Sequence, residues 1–269
     1  MGHTIETSEI ARIERSAEAG WPALEAEALG PWHCRASQGA THRANSVMTT
    51  PSVMTTPPAG ADINVNWSDL IEQAQAFYQR HKLPVLFQIS PTTVPPDLDD
   101  QLASRGYQIE RASEVHAAEI AALLRQAGNT DSAFVDLWSH EPDEAWLRLE
   151  FGEPTPRRTV QESICRRIAQ PQLFASIQRD GQIVSCARGV MAEGLGWIYG
   201  MATAPQWRRR GLAGRLLHRL ALWCSSAGAQ RIYLQVMADN TSALALYRRA
   251  GFNILYRYHY RALRQALVP

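Results

Sequence analysis

Apolar positions in the last third of the chain follow first the spacing of a helix and then that of a strand. From Gly211 to Ala227 they recur at helical spacing and predict an amphipathic helix. Ile232 to Val236 alternates as a strand does, and Asn240 to Ala250 again has helical spacing. Gly251-Phe252 then leads into a strand from Ile254 to Tyr260. The predicted order is helix, strand, helix, Gly-aromatic pair and strand.

The same order occurs once earlier in the chain. Ser68 to Lys82 has the pattern of a helix, with Ser68 as its N-cap, and Leu83 to Ile89 is a continuous apolar run typical of a buried strand. Asp97 to Arg105 predicts a second helix, and Gly106-Tyr107 begins a further strand. We therefore expect two topologically related halves.

These halves, residues 1–113 and 114–269, are predicted to be two domains of one fold class. After a helix from Glu114 to Gln126, the second half has three strand patterns separated by the turns Asp180-Gly181 and Glu193-Gly194. The strands are Phe174–Arg179, Gln182–Val190 and Trp197–Thr203. A meander followed by alternating helices and strands predicts an α/β fold with a mixed sheet covered by helices.

The segment before the first repeat is predicted to contain helix, hairpin and loop. Ser8 to Leu29 favours one or two helices, and Trp32 to Ser37 and Thr41 to Met48 favour two strands joined by a Gly-containing turn. A hexapeptide then occurs twice, as Ser46 to Pro51 and Ser52 to Pro57. A repeat this short cannot be a solenoid unit, which needs about 20 residues or more, and we expect an extended surface loop.

Composition narrows the functional classes. The 269 residues include 27 Lys plus Arg and 26 Asp plus Glu, and the net charge of +1 produces no general attraction to nucleic acid or anionic lipid. No apolar stretch reaches the roughly 18 residues of a membrane span, and acidic residues in the first 14 positions do not fit a secretory signal. We expect a cytoplasmic protein. The four cysteines are scattered and the histidines lack metal-ligand spacing, which predicts reduced, buried thiols and no metal site.

The segment Pro205 to Arg215, between a predicted strand and a predicted helix, carries the clearest chemical signal. Gly211 and Gly214 remove side chains where a ligand could approach the backbone, and the first turn of a helix has N–H groups without helical acceptors. Such a turn binds phosphate groups, and the run Arg208 to Arg210 adds positive charge around it. A solvated helix start is the alternative interpretation of the arginines.

This segment resembles the acyl-CoA-binding core of the GNAT superfamily of N-acetyltransferases. The resemblance rests on Arg208-x-x-Gly211-x-Ala213 after a strand, followed by Asn240, Leu246-Tyr247 and Gly251-Phe252, and it covers roughly Phe174 to Tyr260. It implies acetyl-CoA as the acyl donor. The residues that it assigns to acetyl-CoA are Met201, Ala202, Thr203, Arg208, Arg209, Arg210, Gly211, Leu212, Ala213, Gly214 and Asn240. Asn240 has an alternative role as a helix N-cap.

The resemblance also implies a mechanism. An amine attacks the thioester directly, a backbone N–H near Met201 stabilises the oxyanion, and Tyr247 protonates the departing thiolate. Core packing is the alternative interpretation of Tyr247. The acceptor is expected to be an amine-bearing small molecule or peptide, and the protein a monomer or homodimer. A catalytically silent acyl-CoA sensor or assembly protein is the second hypothesis, because Trp197 to Met201 lacks the carboxylate that many relatives use as a base.

Other acidic residues are candidates for that base. Glu193, at the preceding turn, is the first candidate, and residues between the first helix and the meander are further ones: His140, Glu141, Asp143 and Glu144. The last four lie in a segment with Trp138, Trp146, Glu150 and Phe151, which either lines a site for a cationic acceptor or packs as a helical cover.

The first half lacks the counterparts of these residues. Leu102 takes the position of Tyr247, Pro95 takes that of Asn240, and no glycine pair precedes the helix at Ser68. We therefore expect a tandem GNAT protein whose N-terminal half is degenerate and whose C-terminal half is catalytic.

Overall fold

The computed structural model describes residues 5–51, 65–126 and 130–263. The chain divides into two units. The N-terminal unit contains the described residues up to Ser113 and those from Tyr256 onward, and the C-terminal unit runs from Glu114 to Leu255.

The helices and strands alternate along the chain. In chain order they are α1 (Thr7–Ala19), β1 (Glu25–Leu29), β2 (Trp32–Ala36), β3 (Val47–Met48), α2 (Trp67–Arg80), β4 (Leu86–Ile89), α3 (Leu98–Ser104), β5 (Gln108–Glu119), α4 (Ile120–Leu124), β6 (Val135–Ser139), α5 (Glu144–Phe151), α6 (Pro156–Arg167), β7 (Gln172–Arg179), β8 (Gln182–Ala192), β9 (Leu195–Thr203), a 3₁₀ turn (Pro205–Trp207), α7 (Leu212–Ser226), β10 (Arg231–Met237), α8 (Thr241–Arg249) and β11 (Asn253–Ala262).

Both units have a mixed sheet, which confirms the predicted fold class. In the N-terminal unit the strand order is β1-β2-β3-β4-β11, with β3 and β4 parallel and the pairs β1–β2, β2–β3 and β4–β11 antiparallel. In the C-terminal unit, which contains β5 from Glu114 onward, the order is β5-β10-β9-β8-β7-β6. β9 and β10 are parallel, β7 to β9 form the predicted antiparallel meander, and β6 adds an unpredicted antiparallel strand beside β7.

The repeated element order is visible in matching helix ends. Gly106 follows α3 and Gly251 follows α8, with φ values of +85° and +91° that glycine adopts readily. In both places the next N–H donates back into the helix: Tyr107 N–H to the Leu102 carbonyl at 3.1 Å and Phe252 N–H to the Tyr247 carbonyl at 3.0 Å. Leu102 and Tyr247 therefore occupy the same position in the two repeats.

The last strand crosses from one unit to the other. β11 starts in the C-terminal unit, but from Tyr256 it belongs to the N-terminal unit, where His259 to Ala262 pairs with β4. Its alternating tyrosines are buried, and the Tyr256 hydroxyl donates to the Glu14 carboxylate at 2.7 Å. The predicted second domain, residues 114–269, thus extends past the C-terminal unit, because a strand's partners are set by long-range pairing.

Three local predictions for the N-terminal unit need correction. Glu25 to Leu29 forms strand β1 rather than helix, because it pairs with β2 despite its helix-forming composition. Only Val47 and Met48 of the predicted second hairpin strand are in a strand. Helix α2 begins one residue earlier than expected, and Asn66 rather than Ser68 caps it.

The first copy of the hexapeptide is buried rather than a surface loop. Ser46, Thr49 and Thr50 are all buried, and their hydroxyls are paired inside the N-terminal unit. Thr49 Oγ1 donates to the Gln88 carbonyl at 2.6 Å, and the hydroxyls of Thr50 and Thr92 are 2.8 Å apart. These bonds remove the cost of burying the hydroxyl groups. The second copy, residues 52–57, lies outside the described residues.

Helix α7 packs against the sheet of the C-terminal unit and sets the position of its own N-terminus. Its buried face includes Leu216, Leu220 and Cys224. A methyl group on Gly189 of β8 would lie 2.9 Å from Trp223, and one on Gly196 of β9 would lie 2.8 Å from Cys224 Sγ. Glycine at both positions thus allows the helix to approach the sheet closely.

All four cysteines are buried and free, as the sequence predicts. No helix within residues 5–51, 65–126 and 130–263 has the length and apolarity needed to cross a bilayer.

Candidate active site

A bulge interrupts strand β9 at Gly200 and Met201. Arg188 pairs with Tyr199 and Cys186 with Ala202, so Gly200 and Met201 together face Ala187. Gly200 has a φ of +52°, which a residue with a side chain adopts only with strain. A bulge of this kind reorients backbone groups that would otherwise bond to the neighbouring strand. The bulge therefore allows a backbone N–H near Met201 to point toward a ligand.

Beyond the bulge, β9 continues without β10 beside it. The parallel pairing of the two strands covers Gly196 to Ile198 on β9 and Ile232 to Leu234 on β10. β9 nevertheless extends to Thr203 and β10 to Met237. The edge of β9 from Met201 to Thr203 can accordingly accept an extended ligand as if it were an added strand.

The predicted phosphate-binding turn lies directly after this edge. Gly211 has a φ of +77° and is the N-cap of α7, and the Arg215 N–H makes the first helical bond to the Gly211 carbonyl at 3.1 Å. The N–H groups of Leu212, Ala213 and Gly214 precede that bond and have no acceptor within the helix. They form the N-terminal donor set to which an anion can bind.

Gly214 is a glycine that the protein's own packing does not require. A methyl group added there would meet no atom within 4 Å, and its backbone is helical. Glycine inside a helix costs about 1 kcal/mol relative to alanine. An external ligand in close contact with the helix provides a reason for this residue.

The three arginines of the turn have different environments. Arg208 Nε donates to the Thr203 carbonyl at 3.1 Å and connects the turn to the end of β9. The Arg210 guanidinium stacks 4.8 Å above the ring of Trp207. Arg209 is exposed with a φ of +61°. The turn is thus an organised loop with positive charge at its surface.

Arg215 and Arg219 connect α7 to strand β6. Both guanidinium groups bond to Asp136 of β6, at 2.6 Å and 2.9 Å. Arg215 also donates to the carbonyls of Asp131 and Phe134. This network fixes the first turn of α7 relative to the meander.

Tyr247 lies in α8 with its ring in the core, 5.6 Å from the ring of Phe252. Burial, together with the negative charge of Glu150, raises its pKa to about 12, so the phenol keeps its proton at neutral pH. Burial also raises the pKa of a thiol, as at Cys224, whose pKa burial raises to about 12. A thiolate bound beside Tyr247 would therefore also become more basic, and proton transfer to it remains feasible.

Glu150, near the end of α5, packs directly against the bulge. A methyl group built on Gly200 would lie 3.0 Å from both Cδ and Oε1 of Glu150. Burial raises the pKa of Glu150 to about 7, although the positive charge of Arg188 opposes this rise. The sequence places Glu150 in the acidic segment, but only the fold brings it to β9.

The other candidate bases lie elsewhere or have structural partners. Glu193 is in the β8–β9 turn, at the far end of β9 and seven residues before Gly200, which corresponds to about 20 Å along a strand. Glu193 therefore lies at the opposite end of β9 from the bulge.

The acids of residues 140–144 are engaged in local structure. Asp143 caps α5 by accepting the Trp146 N–H at 2.7 Å, and Glu144 pairs with Arg158 at 2.5 Å. Glu141 pairs with Arg166 at 3.2 Å. Trp146 is buried against Phe174, so this part of the segment packs as a helical cover. Trp138, by contrast, is half exposed on β6.

Asn240 has the structural role that the sequence offered as an alternative. Its side chain accepts the Ala243 N–H at 3.1 Å and caps α8. Among the residues that the structure describes, no group of three or more His, Cys, Asp or Glu side chains has the arrangement of a metal site.

Comparison of the sequence with known proteins finds acetyltransferase relatives. A family described as "Probable histone acetyltransferase Rv0428c C-terminal" matches residues 7–261. The protein described as "Uncharacterized N-acetyltransferase YobR" from Bacillus subtilis is 32% identical over 263 residues, which cover 95% of this chain and 99% of that protein. The Mycobacterium tuberculosis protein described as "Probable histone acetyltransferase Rv0428c" is 26% identical over 95% of this chain and 74% of its own length.

Solved structures show the same fold. A GCN5-related N-acetyltransferase from Kribbella flavida superposes with a TM-score of 0.67 at 17% identity, covering 100% of this chain and 98% of that one. A tandem GNAT protein from the clavulanic acid biosynthesis pathway has a TM-score of 0.62 at 12% identity, covering 81% of this chain and 74% of the other. The chain belongs to the GNAT superfamily of acetyltransferases, in the Rv0428c C-terminal family, because the family model matches residues 7–261 and the sequence is 32% identical to YobR.

Proposed function

We propose that the C-terminal unit transfers the acetyl group of acetyl-CoA to a primary amine, by direct attack of the amine within a ternary complex. The observation that carries the proposal is the continuity of the open edge of β9 with the turn at the start of α7. The β9 edge fits an extended pantetheine arm, and the turn fits a diphosphate. No acyl-enzyme is needed.

Each residue then has a defined task. Backbone N–H groups from Arg209 to Gly214 bind the diphosphate, and Arg208 to Arg210 surround it with positive charge. The edge from Met201 to Thr203 aligns the pantetheine arm. A backbone N–H at the Met201 bulge stabilises the negative charge that develops on the thioester oxygen. Tyr247 gives its proton to the leaving sulfur.

The N-terminal unit is proposed to be a non-catalytic copy. Leu102, at the position of Tyr247, is buried and has no ionisable proton. The cap of α2 is Asn66 rather than a glycine. We also propose a cytoplasmic location, because four free, buried cysteines suit a reducing compartment.

The test has two stages. First, the unfolding temperature is measured with increasing acetyl-CoA; binding at 100 times Kd should stabilise the fold by about 2.7 kcal/mol. Second, release of free thiol is followed with a panel of polyamines, aminoglycosides, amino acids and peptide N-termini. We expect turnover with at least one amine. Stabilisation without any turnover would instead support the acyl-CoA sensor, and no stabilisation would contradict the proposed binding turn.

A further inference from the structure

We propose that Glu150 is the general base that removes a proton from the acceptor amine, an inference that rests on the acetyl transfer proposed above. The position of its carboxylate at the β9 bulge carries the inference. The base that the strand sequence lacks is thus supplied by a helix.

Glu150 lies where an attacking amine must pass. Its carboxylate occupies the space beside the Gly200 α-carbon, since a methyl group built there would lie 3.0 Å from both Cδ and Oε1 of Glu150. Met201, the next residue, is the proposed oxyanion donor. Because the thioester carbonyl would sit against that N–H, a nucleophile approaching the carbonyl carbon comes within reach of the same stretch of β9.

The charged and titratable groups around Glu150 come from three elements. Arg188 of β8 is buried, and its positive charge favours the ionised form of Glu150. Three other groups are neutral when protonated, and the negative charge of Glu150 helps to raise their pKa: Cys186 of β8, Cys165 of α6 and Tyr247 of α8. Among the described residues none hydrogen-bonds to the Glu150 carboxylate. The acids at positions 141, 143 and 144 do have such partners.

The altered acidity suits the task. A lysine-like ammonium has a pKa near 10.4 and is only about 0.04% neutral at pH 7. Raising the pKa of Glu150 from 4.5 to about 7 makes proton transfer from that ammonium a few hundred times less unfavourable. At neutral pH about half of the carboxyl groups remain ionised and able to accept.

The proton balance is complete. Glu150 takes one proton from the ammonium and later releases it to water. The neutral amine then forms the C–N bond as the C–S bond breaks. Tyr247 protonates the thiolate, and the second proton lost from nitrogen restores the Tyr247 phenol. The products are an N-acetyl amide, free CoA thiol and one proton released to solvent.

The test compares Glu150→Gln with the matched control Glu193→Gln. For each variant, kcat/KM is measured from pH 6 to 10 with an amine that the unsubstituted protein acetylates, and acetyl-CoA binding is measured by thermal shift. The unsubstituted protein should show a rising limb centred near pH 7. E150Q should lose about 100-fold or more at pH 7, bind acetyl-CoA normally, and recover as pH approaches the pKa of the amine. E193Q should have the same kcat/KM as the unsubstituted protein and the same rising limb near pH 7.

Three results would overturn the proposal. They are an E150Q profile equal to that of the unsubstituted protein, a loss in E150Q that is the same at every pH, and a loss of the limb in E193Q. If E150Q does not fold, E150D replaces it: this carboxylate should retain a rising limb at lower kcat, and its absence would contradict the base role. Failure of the proposed function is recognised separately, because the unsubstituted protein itself would then show no turnover, and both proposals would fall.

Discussion

Tyr247 has its ring in the hydrophobic core and its hydroxyl in the electrostatic field of Glu150. A buried phenol with a pKa of about 12 is a proton store that does not ionise at neutral pH. In the proposed reaction, Tyr247 transfers this proton to the leaving thiolate. The two interpretations of Tyr247, core residue and acid, are therefore compatible.

The substitution Tyr247→Phe distinguishes a role of Tyr247 as an acid from a role in core packing alone. The phenylalanine keeps the ring contact with Phe252 and removes only the hydroxyl, so we expect kcat to fall at least tenfold while acetyl-CoA affinity stays the same. Steady-state kinetics and a binding isotherm measure the two quantities. Tyr233→Phe is the control, because Tyr233 is a buried tyrosine of β10 in the part that still pairs with β9. Equal kcat in Y247F and the unsubstituted protein would leave Tyr247 as a packing residue only.

At the scale of elements, the turn before α7 contains two glycines, and glycine is suited to the two positions for different physical reasons. Gly211 has a left-handed backbone, so any substitution there strains the fold whether or not a ligand binds. Gly214 has a helical backbone and open space around its α-carbon. Gly214 is consequently the position at which ligand contact can be tested apart from stability.

Gly214→Val is expected to leave the free energy of unfolding unchanged or slightly higher, because valine has a better helix propensity than glycine. It should weaken acetyl-CoA binding at least tenfold, since the added side chain occupies the space of the diphosphate. Urea unfolding and calorimetric titration measure the two effects. Ser225→Val, exposed near the other end of α7, is the control and should bind normally. Normal binding by G214V would refute the close approach.

At the scale of the whole molecule, the two repeats are related by element order, yet the chain does not divide into two consecutive domains. β11 completes the sheet of the N-terminal unit with three buried tyrosines, and the Glu14 carboxylate accepts the Tyr256 hydroxyl. We therefore expect the N-terminal unit to need β11 in order to fold.

A chain truncated after Leu255 should show this dependence. It lacks the part of β11 that pairs with β4, and it removes the Tyr256 hydroxyl, which donates to the buried Glu14 carboxylate. We expect aggregation or partial unfolding, detected by size-exclusion chromatography and circular dichroism. A chain truncated after Leu263 keeps all of β11 and should remain folded. A monodisperse, fully folded chain ending at Leu255 would contradict the assignment of β11.

The sequence alone was sufficient for features that depend on near neighbours in the chain. Apolar spacing predicted α7, β10 and α8, and the motifs between Arg208 and Phe252 predicted the GNAT superfamily, which the comparisons confirm. These signals are local because a helix or a glycine-rich turn is specified by residues within a few positions of one another. Residues Glu25 to Leu29 show where local prediction fails, because their pairing with β2 overrides their helix propensity.

Only the tertiary structure decided which distant residues meet. Glu150 and Gly200 are 50 positions apart in the sequence, and their contact depends on how α5 packs on β9. The same holds for Glu193, which is near β9 in sequence but at its far end in space, and for β11, whose partner β4 precedes it by more than 160 residues. Packing and strand register are collective properties of the folded chain, so no local pattern encodes them.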